Sequence, residues 1–272
     1  MKDVEAVIVN WNSGELLGQA VHSLRQQGCR VIRIVDNASV PAPALEHAEV
    51  EWVRLTENRG FAAGANAGIE PARSRFVLLL NPDVRVVQGS VERLLEQART
   101  HPRAAILCGP LLGEDGTPQT AFQLRRLPTV WTVLSDVLFV DEVSGLIGRP
   151  APPPSGLTRI EQPAAAYWLM RRRAWQELGG FDEDFAPAWF EDVDFCKRLG
   201  QAGWEILFLP QAPARHRGGY SLQRVGRARF LRTFYSNLLL YLSKHHPRAL
   251  PWLKPAVKLG LTLRLLGLRV WG

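Results

Sequence analysis

Asp83 follows five apolar residues in a row, Phe76 to Leu80, and the pair Asn81-Pro82. An unbroken apolar run of that length predicts a strand buried on both faces, and Pro82 stops it, so Asn81 and Asp83 sit at its carboxyl end. In open α/β sheets ligands bind at that end. A carboxylate placed there can hold a hard divalent cation while phosphate and water oxygens complete the shell, or it can bond its own turn backbone. Asp36, after the run Val31 to Val35, carries the matching alternatives. It can accept from a ribose hydroxyl or a nucleobase N–H, or it can close a turn in Asp36-Asn37-Ala38-Ser39.

A second group of acids opens a helix at Trp189-Phe190-Glu191-Asp192-Val193-Asp194. Any one of them is favoured there by the helix dipole. Asp192, however, lies three, four and seven residues before Phe195, Cys196 and Leu199, which places it on their buried face. An inward carboxylate needs a partner or a task, and a general base contributes a factor of about 10²–10⁴. His216, between Arg215 and Arg217, is a metal ligand, a phosphate contact or a solvated side chain. Asn58-Arg59-Gly60 with Gly64, Asn66 and Gly68 can meet a diphosphate through Arg59 and helix-start N–H groups, or can pack a helix tightly on a sheet. Its spacing is neither a P-loop nor a dinucleotide fingerprint.

The elements that must position these residues read as βα units. Strands are expected at 4–10, 31–35, 50–55, 76–80 and 104–108, with a helix after Ser13 and another near 89–100. Residues 109–128 read as a hairpin or loop turning at Gly113-Glu114-Asp115-Gly116, and the proline-rich 145–158 as a mobile surface segment. Order resumes at 164–170, then a helix ends at Gly179-Gly180. Helical patterns cover about 225–242 and 252–270.

Composition narrows the class. A chain of 272 residues that is 46% hydrophobic can bury a full core. Three separated cysteines suggest neither a disulfide framework nor a zinc cluster, and the apolar run Val4 to Val9, broken by Glu5, is too short for a signal peptide, so a reducing cytoplasm is expected. The net charge of +7 is uneven: no acid follows Glu205, twelve Lys or Arg do, and residues 1–205 hold 21 basic against 26 acidic side chains. That argues against a nucleic-acid-binding core and for a cationic tail that meets anionic lipid or another polyanion. Its charges recur too often for a membrane span, and an interfacial helix suits it better, the alternative being leucines packed on the rest of the fold with the charges facing water.

Val9-Asn10-Trp11-Asn12, Val35-Asp36-Asn37-Ala38-Ser39, Asn58-Arg59-Gly60-Phe61 with Gly64-Ala65-Asn66-Ala67-Gly68, Leu80-Asn81-Pro82-Asp83, Gly179-Gly180-Phe181-Asp182 and Phe190-Glu191-Asp192-Val193-Asp194 occur in that order. Together they resemble the family 2 glycosyltransferases of the GT-A fold, and within them the bacterial rhamnosyltransferase-like branch. The resemblance covers roughly residues 4 to 220 and implies an α/β, Rossmann-like, mostly parallel sheet flanked by helices, with a catalytic domain over 1–220 to which the basic amphipathic helical segment over 221–272 is appended. It implies an inverting single displacement from a dTDP- or UDP-sugar, rhamnose first among donors, to a glycan or lipid-linked acceptor of surface-polysaccharide synthesis. Asn10, Asn12, Asp36, Arg59, Asn66 and Asn81 would line the donor nucleotide, Asp83 and His216 would hold Mg²⁺ or Mn²⁺, Asp192 would be the base, and Glu191 and Trp189 would orient the acceptor. Asn81 departs from the family's frequent acid at that place and is a weaker ligand. The expected location is cytoplasmic, peripheral at the inner face of the cytoplasmic membrane. A nucleotidyltransferase is the nearer rival, though residues 10–16 lack its Gly-rich phosphate loop. A non-catalytic membrane- or polyanion-binding protein is the other.

Overall fold

The structure, a computed structural model, describes residues 3–45, 49–137, 154–218 and 225–270. Its strands are β1 (Val4–Asn10), β2 (Val31–Asp36), β3 (Glu51–Arg54), β4 (Phe76–Leu80), β5 (Val84–Val86), β6 (Ala104–Cys108), β7 (Leu111–Leu112), β8 (Leu124–Arg125), β9 (Thr158–Arg159), β10 (Gln162–Pro163), β11 (Tyr167–Arg171), β12 (Glu205–Phe208) and β13 (Ala214–His216). The helices are α1 (Glu15–Gln26), α2 (Gly60–Ile69), α3 (Ser90–Thr100), α4 (Thr120–Gln123), α5 (Val130–Val137), α6 (Arg172–Glu177), α7 (Glu191–Gln201), α8 (Arg227–His245) and α9 (Leu250–Val270).

The central sheet runs β3-β2-β1-β4-β11-β6-β12-β9. β3, β2, β1 and β4 are mutually parallel, and β11 enters antiparallel between β4 and β6. The chain therefore winds outward from β1 to β3 and returns to β4 on the other side of β1, which makes the β1/β4 boundary a topological switch point. Val7 and Val9 of β1 face one core, with α2 and α7, while Ala6 and Ile8 face another, with α1 and α3. This is the alternation a buried strand requires.

The glycines of α2 resolve one of the open alternatives. A Cβ on Gly64 would lie 2.7 Å from a Val9 methyl, and one on Gly68 would collide with Val7. They let the helix backbone sit directly on the sheet. Residues 109–128, expected as a hairpin or loop, form β7, α4 and β8. β5, β13 and β7 make a small second sheet, and β8 pairs β10. Of the expected surface segment 145–158, residues 145–153 lie outside the described residues, and Thr158 belongs to β9. The third core joins α5, α8 and α9 to the start of α7.

Candidate active site

Three corners of the molecule hold most of the residues singled out above. The first lies at the carboxyl ends of β1 and β2, where Asn10 and Asp36 are register partners. Asn10 donates to Asp36 Oδ1 (3.3 Å) and to Ser39 Oγ (3.1 Å), and Arg54 donates to Asp36 Oδ2 (3.3 Å). Ser39 N also donates to Asp36 Oδ1 (3.3 Å), so a turn bond coexists with the buried cluster. Asn12 Oδ1 accepts from Val40 N (2.7 Å) and the Asn12 backbone N–H donates to Ser39 Oγ (2.8 Å). Asn10, Asn12 and Asp36 are thus brought together.

Arg59 and Asn66 meet elsewhere, on Glu183. Arg59 reaches its Oε2 (2.9 Å) and Asn66 its Oε1 (3.0 Å). The Asn66 amide also binds both backbone groups of Phe181 and accepts from Trp175 Nε1, which ties α2 to the turn after Gly180.

The second corner is Asp83 with His216. Asn81 holds the β4 exit through its backbone, donating to Ala166 O and accepting from Val84 N. The antiparallel β5–β13 pair sets His216 opposite Val84 and brings its Nε2 to 3.5 Å from Asp83 Oδ2, with the side chains 4% and 9% exposed. Gln119 donates from Nε2 to the His216 carbonyl (2.9 Å), so its Oε1 is the atom 2.6 Å from His216 Nδ1. That network assigns the proton to Nδ1 and leaves the lone pair on Nε2. Burial lowers the His216 pKa, only partly opposed by Asp83, and so favours the neutral ring. Two lone-pair donors then face each other across 3.5 Å with little water, which suits a shared cation. Among the described residues no group of three or more His, Cys, Asp or Glu could hold a metal ion.

The third corner is the start of α7. Trp189 and Phe190 have φ of 72° and 80°, a left-handed pair that costs on the order of 1–3 kcal/mol per residue. The turn delivers Glu191 and Asp192 at the first helical positions. Asp192 is half-buried rather than sunk in the core; its Oδ2 accepts from Gln162 Nε2 (3.2 Å) and Ala165 N (3.4 Å). Burial raises its pKa, and the charge of Arg125 and the N–H groups of Val193 and Ala165 oppose the rise. Glu191 is buried, its Oε2 has no hydrogen-bond partner, and burial followed by the Asp192 charge pushes its pKa well up. Both carboxyls are therefore harder to ionise than free ones, and of the two Asp192 is the one whose rise a nearby positive charge, Arg125, opposes.

The fully buried acid of this helix is Asp194. It pairs Arg198 (2.7 Å), Lys244 (2.8 Å) and His245 (2.8 Å). Burial alone would raise its pKa, but His245, Lys244 and Arg198 together pull it down to about 2. It anchors α7 to α8.

Segment 119–125 joins the second and third corners. Phe122 stacks on His216 (ring centroids 5.4 Å apart), the Arg125 guanidinium lies 5.6 Å from the Phe122 ring, and Arg125 faces Gln162 in the β8–β10 pair. Gln119, Arg125 and Gln162 had no functional signal in the sequence, and Asp194 was visible there as one of the acids opening the helix but not as the partner of Lys244 and His245. Their partners are distant in the chain.

Residues 5–177 match the family described as Glycosyl transferase family 2. The chain is 27% identical to the N-acetylglucosaminyl-diphospho-decaprenol L-rhamnosyltransferase of Mycobacterium tuberculosis (strain CDC 1551 / Oshkosh), over 90% of this chain and 86% of that protein. Among solved structures it is similar to GalNAc-T7 with UDP, GalNAc and Mn2+ (TM-score 0.57, 16% identity, 78% of this chain). It is also similar to S. aureus TarS 1-349 in complex with UDP-GlcNAc (TM-score 0.55, 14% identity, 89% of this chain). It spans 43% and 66% of those two chains. Both share the GT-A architecture seen here.

Proposed function

The chain belongs to glycosyl transferase family 2, and from that premise we propose that it moves a sugar, rhamnose first among candidates, from a dTDP- or UDP-sugar to a glycan or lipid-linked acceptor with inversion. The observation that carries this reading is the bridge from Asp83 and His216 through Phe122 and Arg125 to the Asp192 carboxylate. A displacement needs charge stabilisation at the leaving diphosphate and a base for the incoming hydroxyl, and the bridge joins groups suited to each.

In this reading Asn10, Asn12 and Asp36 receive the nucleoside, while Arg59, Asn66 and Asn81 shape the donor side. Asp83 and the Nε2 of His216 would hold Mg²⁺ or Mn²⁺ with diphosphate oxygens, and the ion would offset charge on the leaving group as a Lewis acid. Asp192 takes the acceptor proton on Oδ1 or Oδ2. Gln162 and Ala165 N orient that carboxylate, and Trp189 and Glu191 flank the acceptor. Support for a deoxysugar and a lipid-linked acceptor comes from the mycobacterial relative's name.

Contact with a membrane surface is part of the proposal. Trp252, Leu259, Leu263 and Leu266 are 47–60% exposed, and their spacing returns to one side of α9. Lys254 and Lys258 are exposed on the same helix, and no acid follows Glu205 to offset them. No described helix is long and apolar enough to cross a membrane, so α9 would lie in the interface, beside anionic headgroups.

The test is thermal unfolding with Mn²⁺ or Mg²⁺ and a panel of nucleoside diphosphates, since a ligand of the native state raises the midpoint. A metal-dependent rise with dTDP or UDP, lost in Asp83→Ala, supports the reading. A rise that Asp83→Ala leaves untouched contradicts the metal assignment.

A further inference from the structure

One face of α8 is given over to the segment that carries the candidate base. Phe230 meets the Trp189 ring edge-on (4.7 Å), Phe234 and Tyr241 meet Phe190 (5.0 and 5.7 Å), and Lys244 and His245 hold Asp194. At the centre of that face is Asn237, 5% exposed. Its Nδ2 lies 2.7 Å from Phe185 O, 3.0 Å from Ala188 O and 3.0 Å from Trp189 O. Residues at 230, 234, 237, 241 and 244 fall on one side of a helix.

The carbonyls that Asn237 gathers belong to the turn whose last two residues are left-handed. A non-glycine pair holds that conformation only where the surroundings over-determine it. The aromatic contacts fix the two rings, and the Asn237 amide holds the backbone from the α8 side, while Phe61 N–H donates to Pro187 O (2.9 Å) from the α2 side. Asp192 is two residues beyond the last left-handed position, so its direction is set by this turn.

We propose that Asn237 is a positioning residue: it clamps the Phe185–Phe190 turn and thereby aims Asp192 at the acceptor hydroxyl. The proposal rests on the reading of Asp192 as the base. α8, far along the chain from every motif, is then part of the catalytic apparatus rather than a support for α9 alone.

The test compares wild type with Asn237→Asp, which keeps the shape but turns an oxygen toward three carbonyls, and with Asn237→His, which restores a donor. With dTDP-rhamnose and a short-chain N-acetylglucosaminyl-diphospho-lipid, Asn237→Asp is expected to lower kcat by about 10²-fold, the scale of a misplaced catalytic group, with donor KM unchanged and partial recovery in Asn237→His. In an Asp192→Asn background the same change should have no further effect on the residual rate, because both act through one carboxylate. Amide exchange over 185–193 should quicken in Asn237→Asp whether or not an acceptor is present. An unchanged kcat, additive losses, or unchanged exchange overturns the proposal. Loss of donor binding in Asn237→Asp overturns it too, since the turn would then serve the whole fold. Full activity in Asp192→Asn alone instead removes the base assignment beneath it.

Discussion

His216 Nδ1 lies 2.6 Å from Gln119 Oε1, and the other end of the same amide binds the His216 carbonyl. This paired contact fixes both the ring and its tautomer, so the Nε2 lone pair is presented to Asp83 without competition. Replacing Gln119 by Leu should raise the Mn²⁺ concentration needed for half-maximal turnover by about 10–100-fold, the usual effect of losing an outer-shell partner. A metal titration at saturating donor measures it. An unchanged requirement would mean that His216 takes no part in metal binding.

Asp192 should dominate the acid limb of the rate profile. Because burial raises its pKa, the rate should begin to fall at a higher pH than an ordinary carboxylate would give. Arg125→Met removes the opposing positive charge and should move that limb to still higher pH, with nucleotide binding intact. Glu191→Gln leaves the proposed base in place and should cost less than Asp192→Asn. Profiles of kcat against pH for the three variants decide the order.

Asp194 predicts a stability effect with a definite sign. Its pKa is depressed from an unfolded value near 3.9 to about 2 in the folded protein, so its contribution is present above pH 4 and is lost as pH falls toward 2. The contribution at neutral pH is about 2 kcal/mol. Asp194→Asn leaves Arg198, Lys244 and His245 without their common acceptor and should destabilise by about 3 kcal/mol, read as a lower urea midpoint at constant m-value. A midpoint within error of wild type would show that α8 does not depend on this anchor.

The proposed lipid contact of α9 is tested with vesicles. Wild type should sediment with phosphatidylcholine vesicles containing phosphatidylglycerol more than with phosphatidylcholine alone, and raised salt should weaken the difference. The triple change Leu259→Gln, Leu263→Gln and Leu266→Gln should reduce binding at least tenfold. Retained binding in that variant would place the membrane contact elsewhere, and a shift of wild type alone to a dimer in sedimentation velocity would assign the stripe to a second copy.

Sequence reasoning reached the parts of the site that are local. Phe76 to Leu80 could be read as a buried strand from its own composition, and the stops at Pro82 and Asp36-Asn37-Ala38-Ser39 place two acids at strand ends. The antiparallel insertion of β11 was not legible, because Tyr167–Arg171 carries the same apolar pattern in either direction. Gln119 and Arg125 fell in a stretch without periodicity, and their meaning depends on His216 and Asp192, which only the tertiary fold brings near. Asn237 looked like one more polar residue in a helix. Asp192 was expected on the buried face of α7, but its half-buried carboxylate is caged by Gln162 and Ala165 while Asp194 occupies the core.

The most direct test of the account is the transfer reaction itself in Asp192→Asn. Wild type with Mn²⁺, dTDP-rhamnose and the short-chain N-acetylglucosaminyl-diphospho-lipid should give a glycoside of inverted anomeric configuration by NMR. Asp192→Asn should form it at least about 10²–10⁴-fold more slowly while dTDP still raises its melting midpoint as in wild type. A variant that transfers at the wild-type rate, or a product that retains configuration, would contradict the single-displacement mechanism with Asp192 as its base.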